Sequence, residues 1–315
     1  MTSLSLKDLN KIPVRLASGH RLCAGCAESI IAKQILMGTE DHIAVSASTG
    51  CFEVSTTIFP YTAWNTPYIH TAFGNGAATC AGVETAYNAL KKKGKITEEI
   101  KFVNFAGDGA TYDIGLQALS GAMERGHRMM YVCLNNEAYM NTGIQRSSAT
   151  MMGASTTTSW AGAVQGGKKE FSKDMTEIMI AHNIPYVAQV SPHNWRDTVT
   201  KARKGFEADG PSFINAVSPC PRGWRFASED TIAIAKLAVE TCVWPIFEVV
   251  DGEYTLTGES SRIADGKLEK KPVLDWLKSQ GRFKHLLQDK WEPTVEALQK
   301  EVDRRWEKLV KRASN

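Results

Sequence analysis

The sequence predicts an α/β fold, in which a mostly parallel sheet carries helices on both faces. Short, nearly continuous apolar segments alternate along the chain with longer segments of helical periodicity. Strands that are apolar on both faces are typical of a parallel sheet covered by helices. In addition, polar or glycine-containing motifs follow four of the predicted strands, and ligands of such sheets lie beyond the carboxyl ends of the strands.

The predicted strands and helices alternate from residue 43 to residue 217. The strands are predicted at residues 43–47, 101–105, 129–134, 186–189 and 213–217, and the helices at residues 75–92, 113–125, 173–182 and 195–207. The first helix carries small residues on one face, which lets it pack closely. Asp113 stands near the N-terminus of the second helix, where an acidic residue is favoured.

Two further segments complete the predicted organisation. Residues 145–171 are rich in Ser, Thr, Gly, Ala and Met and show little periodicity. A connection of this length is usually functional or mobile, which predicts a lid or a subunit contact. We divide the chain into a main domain, residues 1–241, and a C-terminal extension, residues 242–315, that packs on this domain or on partner subunits. The extension contains strand material at residues 247–254 and a charged helix at residues 292–311.

The composition argues against nucleic-acid and membrane partners. The 315 residues carry a net charge of only +3, and 23% of them are charged, so no strong global field favours polyanions. No apolar run is long enough to cross a bilayer, and the polar start lacks the apolar segment of a secretory leader. We therefore expect a cytoplasmic protein.

The seven cysteines predict a metal or cluster site. An odd number that includes the pair Cys23 and Cys26, spaced Cys-x-x-Cys, favours ligation over disulfides in a cytoplasmic protein. Cys51 and Cys220 follow predicted strands and fall on the same edge of the sheet. Four thiolates suit a [4Fe–4S] cluster, and zinc is the alternative metal. The other three cysteines lie among apolar neighbours and are predicted to be buried free thiols: Cys80, Cys133 and Cys242.

Oxygen ligands follow two of the other predicted strands. The motif at residues 107–109, Gly-Asp-Gly, follows the strand at 101–105, and Asn136 follows the next strand along the chain. Glycines allow the backbone to approach a phosphate closely. Asp108 and Asn136 offer two hard oxygen ligands, and phosphate oxygens and a carbonyl could complete the shell of Mg²⁺. A capping aspartate and a turn asparagine are the alternative interpretation.

Residues 107–115 and 136–143 together resemble the diphosphate–metal motif of enzymes that use thiamine diphosphate (thiamine pyrophosphate, TPP). More narrowly, they resemble the beta subunits of pyruvate:ferredoxin oxidoreductase (pyruvate synthase), in the 2-oxoacid:ferredoxin oxidoreductase family. The resemblance extends from about residue 20 to residue 253, and it is weaker in the C-terminal helix. It implies that the main domain is a TPP-binding domain of the type that holds the diphosphate.

The resemblance also implies roles for individual residues. Asp108 and Asn136 would be side-chain ligands of Mg²⁺, and Ala138 a carbonyl ligand. Asn141 would face the thiazolium ring and the substrate-derived intermediate, where its amide could donate to developing negative charge. The remaining implied contacts are the diphosphate lining, Gly107, Gly109 and Ala110; two further TPP contacts, Glu28 and Cys51; and the [4Fe–4S] ligands, Cys23, Cys26, Cys51 and Cys220. Two positions vary from the usual family pattern: some members have Thr at the position of Asn136, and Ala27 replaces a usual Gly.

The implied reaction is the oxidative decarboxylation of a 2-oxoacid, with the acyl group passed to coenzyme A and electrons passed through the cluster to ferredoxin. Only one TPP-binding domain fits in this chain, so an alpha subunit would supply the Glu that activates TPP. The sequence has no Cys-x-x-Cys-x-x-Cys run, so gamma and delta subunits, one of them ferredoxin-like, would carry further [4Fe–4S] clusters.

Several alternatives stay open. Pyruvate is the favoured substrate, and 2-oxoisovalerate, or oxalate without coenzyme A, are the others. A nonenzymatic scaffold with zinc or an electron-transfer centre on four cysteines is a candidate from another class. A dinucleotide-binding protein ranks last, because the first strand-to-helix turn lacks Gly-x-Gly-x-x-Gly. Arg146 is either a ligand of a carboxylate or of coenzyme A phosphates, or a surface arginine.

Overall fold

The structure of the chain, a computed structural model, describes residues 5–314. Its centre is one eight-stranded sheet in the order β2-β1-β3-β4-β6-β5-β7-β8. The first six strands pair in parallel, whereas β7 runs antiparallel to β5 and β8 antiparallel to β7. The strands are β1 His42–Ser48, β2 Tyr68–Thr71, β3 Ile100–Gly107, β4 Met130–Asn135, β5 Tyr186–Val190, β6 Ser212–Val217, β7 Phe247–Val250 and β8 Glu253–Leu256.

Helices cover both faces of this sheet. They are α1 Leu6–Leu9, α2 Ala27–Leu36, α3 Cys51–Thr56, α4 Gly76–Lys92, α5 Leu116–Glu124, α6 Met175–Ile180, α7 Trp195–Glu207, α8 Pro221–Trp224, α9 Thr231–Glu240, α10 Gly258–Ala264, α11 Val273–Lys278 and α12 Glu292–Ala313. Alternate residues of one strand enter different core clusters. In β3, Val103 and Phe105 pack in the cluster that contains α2, while Phe102 packs with α4 and α5. The predicted fold class is confirmed.

The predicted strands are all present, with bounds that differ by one or two residues. The short strand β2 was not predicted, and neither were helices α2 and α9. The predicted start of a helix at Asp113 is wrong, because Gly109–Ile114 forms a π-helix and the α-helix begins only at Leu116. A π-helical turn is rare and is found mostly at functional sites.

The chain after residue 241 continues the main sheet. The segment predicted as one strand is a hairpin, in which Asp251 and Gly252 adopt positive φ values between β7 and β8. Helix α12 buries one apolar face, made of Leu298, Val302, Trp306 and Leu309. The division of the chain at residue 241 stays a prediction. Within the part of the chain that the structure describes, no helix is long and apolar enough to cross a membrane.

Four neighbouring strands define the edge where the site lies. In the sheet, β1, β3, β4 and β6 are consecutive and parallel. Their carboxyl ends therefore bring together the segments at residues 49–51, 107–109, 135–138 and 218–220. This is the convergence that the motifs predicted.

Candidate active site

Asp108 lies directly after β3, and its side chain is fully buried. Its Oδ2 accepts a hydrogen bond of 2.5 Å from the Ser147 hydroxyl. Its Oδ1 has no hydrogen-bond partner among residues 5–314. Burial raises the pKa of Asp108 to about 8, although the hydrogen bond from Ser147 opposes the shift. A buried carboxylate with one free oxygen costs free energy unless a donor or a cation satisfies it.

Asn136 follows β4 and connects the end of this strand to α2. Its Nδ2 donates to Glu28 Oε1 at 3.0 Å, and its Oδ1 accepts a longer hydrogen bond of 3.3 Å from the backbone of Ala138. Because Nδ2 donates to Glu28, the amide nitrogen of Asn136 faces the Glu28 carboxylate and the amide oxygen points away from it. Its main-chain carbonyl accepts from the Trp224 indole at 2.7 Å.

Glu28 stands in the first turn of α2, between the asparagine and a cysteine. Its side chain is buried, and its Oε2 has no partner within the described chain. Burial raises the pKa of Glu28 to about 7, and hydrogen bonds from Asn136 and the Cys26 thiol oppose the shift. Glu28 therefore joins the segment at residues 135–138 to the Cys23–Cys26 turn.

Glu137 holds an uncommon backbone conformation between Asn136 and Ala138. Its φ is +63°, a region that costs a non-glycine residue of order 1–3 kcal/mol. Its backbone N–H donates to Asn135 Oδ1 at 3.0 Å, and its carbonyl accepts from the Thr150 hydroxyl at 2.6 Å. We call residues 136–138 the metal loop.

The two glycines that flank Asp108 serve different purposes. A Cβ placed on Gly107 would have no atom within 4 Å, so the end of β3 faces open space. A Cβ on Gly109 would lie 2.4 Å from Cε1 of Tyr139, so only glycine fits there. Ala110 is buried in the π-helix. The space above Gly107 is where a ligand can approach the backbone closely.

Asn141 is exposed and makes no side-chain hydrogen bond with the residues that the structure describes. It follows a turn in which the Tyr139 backbone N–H donates to the Gln145 carbonyl at 2.9 Å. The Tyr139 hydroxyl donates to Asp113 at 2.9 Å. Within the described residues, Asn141 therefore shares no hydrogen bond with Asp108 or Asn136.

Cys26, Cys51 and Cys220 are half-buried, and Cys23 is exposed. Burial raises the pKa of the Cys51 thiol, and the charges of Glu28, Cys220 and Cys23 raise it further. Glu28 also adds to the effect of burial in raising the pKa of the Cys26 and Cys220 thiols. Cys220 Sγ accepts a hydrogen bond of 3.4 Å from the Gly223 backbone N–H in α8.

The Cys23–Cys26 turn rests on the segment that precedes α9. Gly25 has a φ of +73°, and a Cβ on it would lie 2.4 Å from the Ser228 carbonyl oxygen. Its own carbonyl accepts from the Thr231 hydroxyl at 2.6 Å. This position therefore requires glycine, and the hydrogen bond from Thr231 holds the turn against the start of α9.

No three His, Cys, Asp or Glu side chains within residues 5–314 lie close enough to hold a single metal ion. A single zinc ion on the four cysteines, the alternative metal, would need such a group, so this arrangement does not favour it. The predicted Mg²⁺ site and [4Fe–4S] cluster do not need one. The Mg²⁺ site would use one carboxylate, an amide and a carbonyl, and a [4Fe–4S] cluster separates its thiolates by its own iron and sulfide atoms. The other three cysteines are buried, as predicted: Cys80, Cys133 and Cys242.

The segment at residues 145–171 packs beside the site, and sequence reasoning missed its contacts. Ser147 donates to Asp108, and Thr150 donates to the Glu137 carbonyl. Lys168 is almost fully buried and donates to the Thr150 carbonyl at 2.6 Å. Arg146 lies nearer the surface, with its guanidinium 3.7 Å from the Glu170 carboxylate.

Lys168 gives a pH-dependent prediction for stability. Burial lowers the pKa of Lys168 from 10.5 to about 8. Between these pH values the unfolded chain binds more protons than the folded one, so Lys168 makes the folded state more stable as the pH rises. Relative to Lys168→Met, the wild type should gain on the order of 2 kcal/mol of unfolding free energy from pH 8 to pH 10. Urea unfolding of both proteins across this range measures it, and a constant difference would contradict the prediction.

Comparisons with known proteins agree with the geometry. A family profile described as "Thiamine pyrophosphate enzyme, C-terminal TPP binding domain" matches residues 48–216. Pyruvate synthase subunit PorB of Thermotoga maritima is 48% identical, over 96% of this chain and 94% of its own. Ketoisovalerate oxidoreductase subunit VorB of Pyrococcus horikoshii is 42% identical, over 94% and 92%.

A solved structure supports the fold independently. A 2-oxoglutarate:ferredoxin oxidoreductase from Magnetococcus marinus superposes with a TM-score of 0.54 at 18% identity, over 75% of this chain and 81% of that chain. At this identity the likeness shows the fold alone. The resemblance drawn from residues 107–115 and 136–143 is confirmed by the relatives: the chain belongs to the thiamine pyrophosphate enzymes and, among them, to the PorB family of 2-oxoacid:ferredoxin oxidoreductase subunits.

Proposed function

We propose that this chain holds the diphosphate of TPP through Mg²⁺, and a [4Fe–4S] cluster beside it, for the coenzyme A-dependent oxidative decarboxylation of pyruvate. The observation that carries the proposal is the hydrogen bond from Asn136 to the buried Glu28, which stands in the first turn of the helix that follows Cys23 and Cys26, at the sheet edge where Asp108 is also buried. A cation site and a thiolate site that share one buried carboxylate fit a cofactor that must pass electrons to a neighbouring cluster. Ferredoxin would be the final electron acceptor.

The metal site would use Asp108, Asn136 and the Ala138 carbonyl. Asp108 Oδ1 is free to bind a cation, and Ser147 holds the other carboxylate oxygen in place. The hydrogen bond to Glu28 presents the amide oxygen of Asn136, a hard ligand of the kind that Mg²⁺ prefers. The open space over Gly107 fits the diphosphate, and the buried Gly109 and Ala110 would complete the lining.

The cluster site would use Cys23, Cys26, Cys51 and Cys220. Burial and, after it, the charge of Glu28 raise the pKa of the Cys26, Cys51 and Cys220 thiols, and cluster ligation would remove the cost of ionising these buried sulfurs. When bound, TPP supplies the carbanion chemistry. Of this chain's own residues, Glu28 and Cys51 would contact it, and Asn141 would donate an amide N–H toward the substrate-derived group.

Partner subunits would complete the enzyme, since PorB is by name a subunit of a larger protein. We propose an alpha subunit that supplies the Glu that activates TPP, and gamma and delta subunits, one of them ferredoxin-like, with further [4Fe–4S] clusters. The alternative substrate is 2-oxoisovalerate, which the 42% identity to a ketoisovalerate oxidoreductase subunit favours.

The substrate is tested on the complete complex, purified without oxygen. Ferredoxin reduction is measured with coenzyme A and pyruvate, 2-oxoisovalerate or oxalate. We expect the highest kcat/KM with pyruvate. Without coenzyme A, we expect pyruvate to give no multiple-turnover reduction of ferredoxin. A higher kcat/KM with 2-oxoisovalerate would mean that 2-oxoisovalerate, and not pyruvate, is the substrate. If none of the 2-oxoacids leads to ferredoxin reduction, the proposed reaction is wrong.

A further inference from the structure

Arg282 is a buried arginine that lies outside the part of the chain matched by the family profile. It stands in the 3₁₀-helix Gly281–Leu287, between α11 and α12, and its side chain is only 2% exposed. A buried guanidinium needs a charged or polar partner to offset its lost hydration. Its carboxylate partner is Glu137, with Nη1 and Oε2 2.9 Å apart.

This ion pair acts on the metal loop, because Glu137 lies between Asn136 and Ala138. Glu137 combines its positive φ with a side chain that pairs with Arg282. Apart from the hydrogen bonds of its own backbone, the pair with Arg282 is the polar contact that Glu137 makes within residues 5–314. A conformation of this kind persists when its surroundings over-determine it.

Arg282 also packs against the segment that follows Cys220. The centre of its guanidinium lies 3.9 Å from the centroid of the Trp224 ring, in a cation–π contact. The Trp224 backbone N–H donates to the Cys220 carbonyl at 2.9 Å, and its indole N–H donates to the Asn136 carbonyl at 2.7 Å. Trp224 therefore ties the cysteine segment to the metal loop, and Arg282 touches both sides of this connection.

We propose that Arg282 is a positioning residue that holds the metal loop and the Cys220 segment in one fixed arrangement. Through it, the C-terminal part of the chain sets how the metal–diphosphate site lies relative to the cluster. This inference rests on the proposed function. A planar guanidinium can pair with a carboxylate and stack on a ring at the same time, which lysine does poorly. A generic structural role would affect stability alone.

The test uses the complete complex with Arg282→Met and Arg282→Lys. We expect Arg282→Met to weaken Mg²⁺-dependent TPP binding about tenfold or more, by the scale of residues that orient metal ligands. We also expect a changed g-tensor in the electron paramagnetic resonance spectrum of the reduced cluster. Arg282→Lys should have a smaller effect of the same kind. Binding is followed by isothermal titration calorimetry, which depends neither on turnover nor on a tryptophan near the site.

Arg15→Met is the matched control. Arg15 is also buried, and its guanidinium donates to the carbonyls of Leu36, Thr39 and Asp41. Its loss should lower the melting temperature but leave TPP affinity and the cluster spectrum unchanged. If Arg282→Met behaves like this control, the inference is wrong, whereas a wild-type complex that binds no TPP would overturn the proposed function instead.

A second variant covers the case in which Arg282→Met does not assemble. Trp224→Phe keeps an aromatic ring beside Arg282 and removes the donor to the Asn136 carbonyl, together with part of the buried ring volume. Weaker TPP binding in both Trp224→Phe and Arg282→Lys would support the positioning role. Wild-type affinity and an unchanged spectrum in both would overturn it.

Discussion

Asp108→Asn is expected to abolish Mg²⁺-dependent TPP binding and to lower kcat/KM with pyruvate by roughly 10³-fold, since a catalytic metal contributes several kcal/mol. The substitution keeps the size of the side chain and its hydrogen bond with Ser147, but it removes the negative charge that a divalent cation requires. Because burial already disfavours the charged carboxylate, the neutral amide should fold at least as well. Isothermal titration of the complex with TPP at fixed Mg²⁺ measures the loss.

Asp197→Asn is the control for this prediction. Asp197 pairs at 2.8 Å with the buried Lys201, on α7. Breaking a buried ion pair is destabilising, so this variant should unfold more easily and yet bind TPP normally. If Asp108→Asn binds Mg²⁺ and TPP as the wild type does, the metal assignment fails.

Cys220→Ser is expected to lose the [4Fe–4S] cluster of this chain and, with it, electron transfer to ferredoxin. The thiolate of Cys220 would bind one iron, and serine is a poor substitute for a soft sulfur ligand. The residue has a prolyl neighbour on each side and precedes α8. Since Cys220 is the only cysteine between residues 134 and 241, no other cysteine of that segment can replace it. Iron content and the absorbance of the purified complex measure the loss, and TPP binding reports whether the site otherwise stays intact.

Cys133→Ala provides the contrast. Cys133 is fully buried in β4, within the apolar core, and its replacement leaves only a small cavity. It should keep the cluster and the electron transfer. Equal loss of iron in both variants, or in neither, would contradict the partition of the cysteines.

The sequence predicted the parts of this molecule that short-range patterns determine. The mostly apolar segments at residues 43–47 and 101–105 predicted strands by their short length and their β-branched and aromatic residues. Parallel strands bring the ends of β1 and β3 to one edge. Asp108 and Asn136 followed from this arrangement together with the chemistry of their side chains. The edge strand β2 has only four residues, which is too short to show a pattern.

The contacts that support the site could not be predicted in the same way. Two of these contacts join residues that are far apart in the sequence: Glu137 with Arg282, and Ser147 with Asp108. No local sequence pattern around these residues indicates which residue each one contacts. The π-helix Gly109–Ile114 was missed because its apolar pattern cannot be distinguished from that of an α-helix over so few residues. For Trp224, the sequence feature that could have predicted a role is its position four residues after Cys220. A large apolar residue so close to a predicted cluster ligand is expected to pack near the site.

The central claim is that this chain carries Mg²⁺, TPP and a [4Fe–4S] cluster at one edge of its sheet. The most direct test is the metal, iron, sulfide and TPP content of the native complex, isolated without oxygen, with electron paramagnetic resonance spectra taken after pyruvate and then coenzyme A. The account predicts bound TPP with Mg²⁺, iron that the Cys220→Ser complex lacks, and a radical signal that pyruvate induces and coenzyme A removes. Zinc in place of that iron, with no bound TPP, would contradict it and favour a zinc-stabilised scaffold.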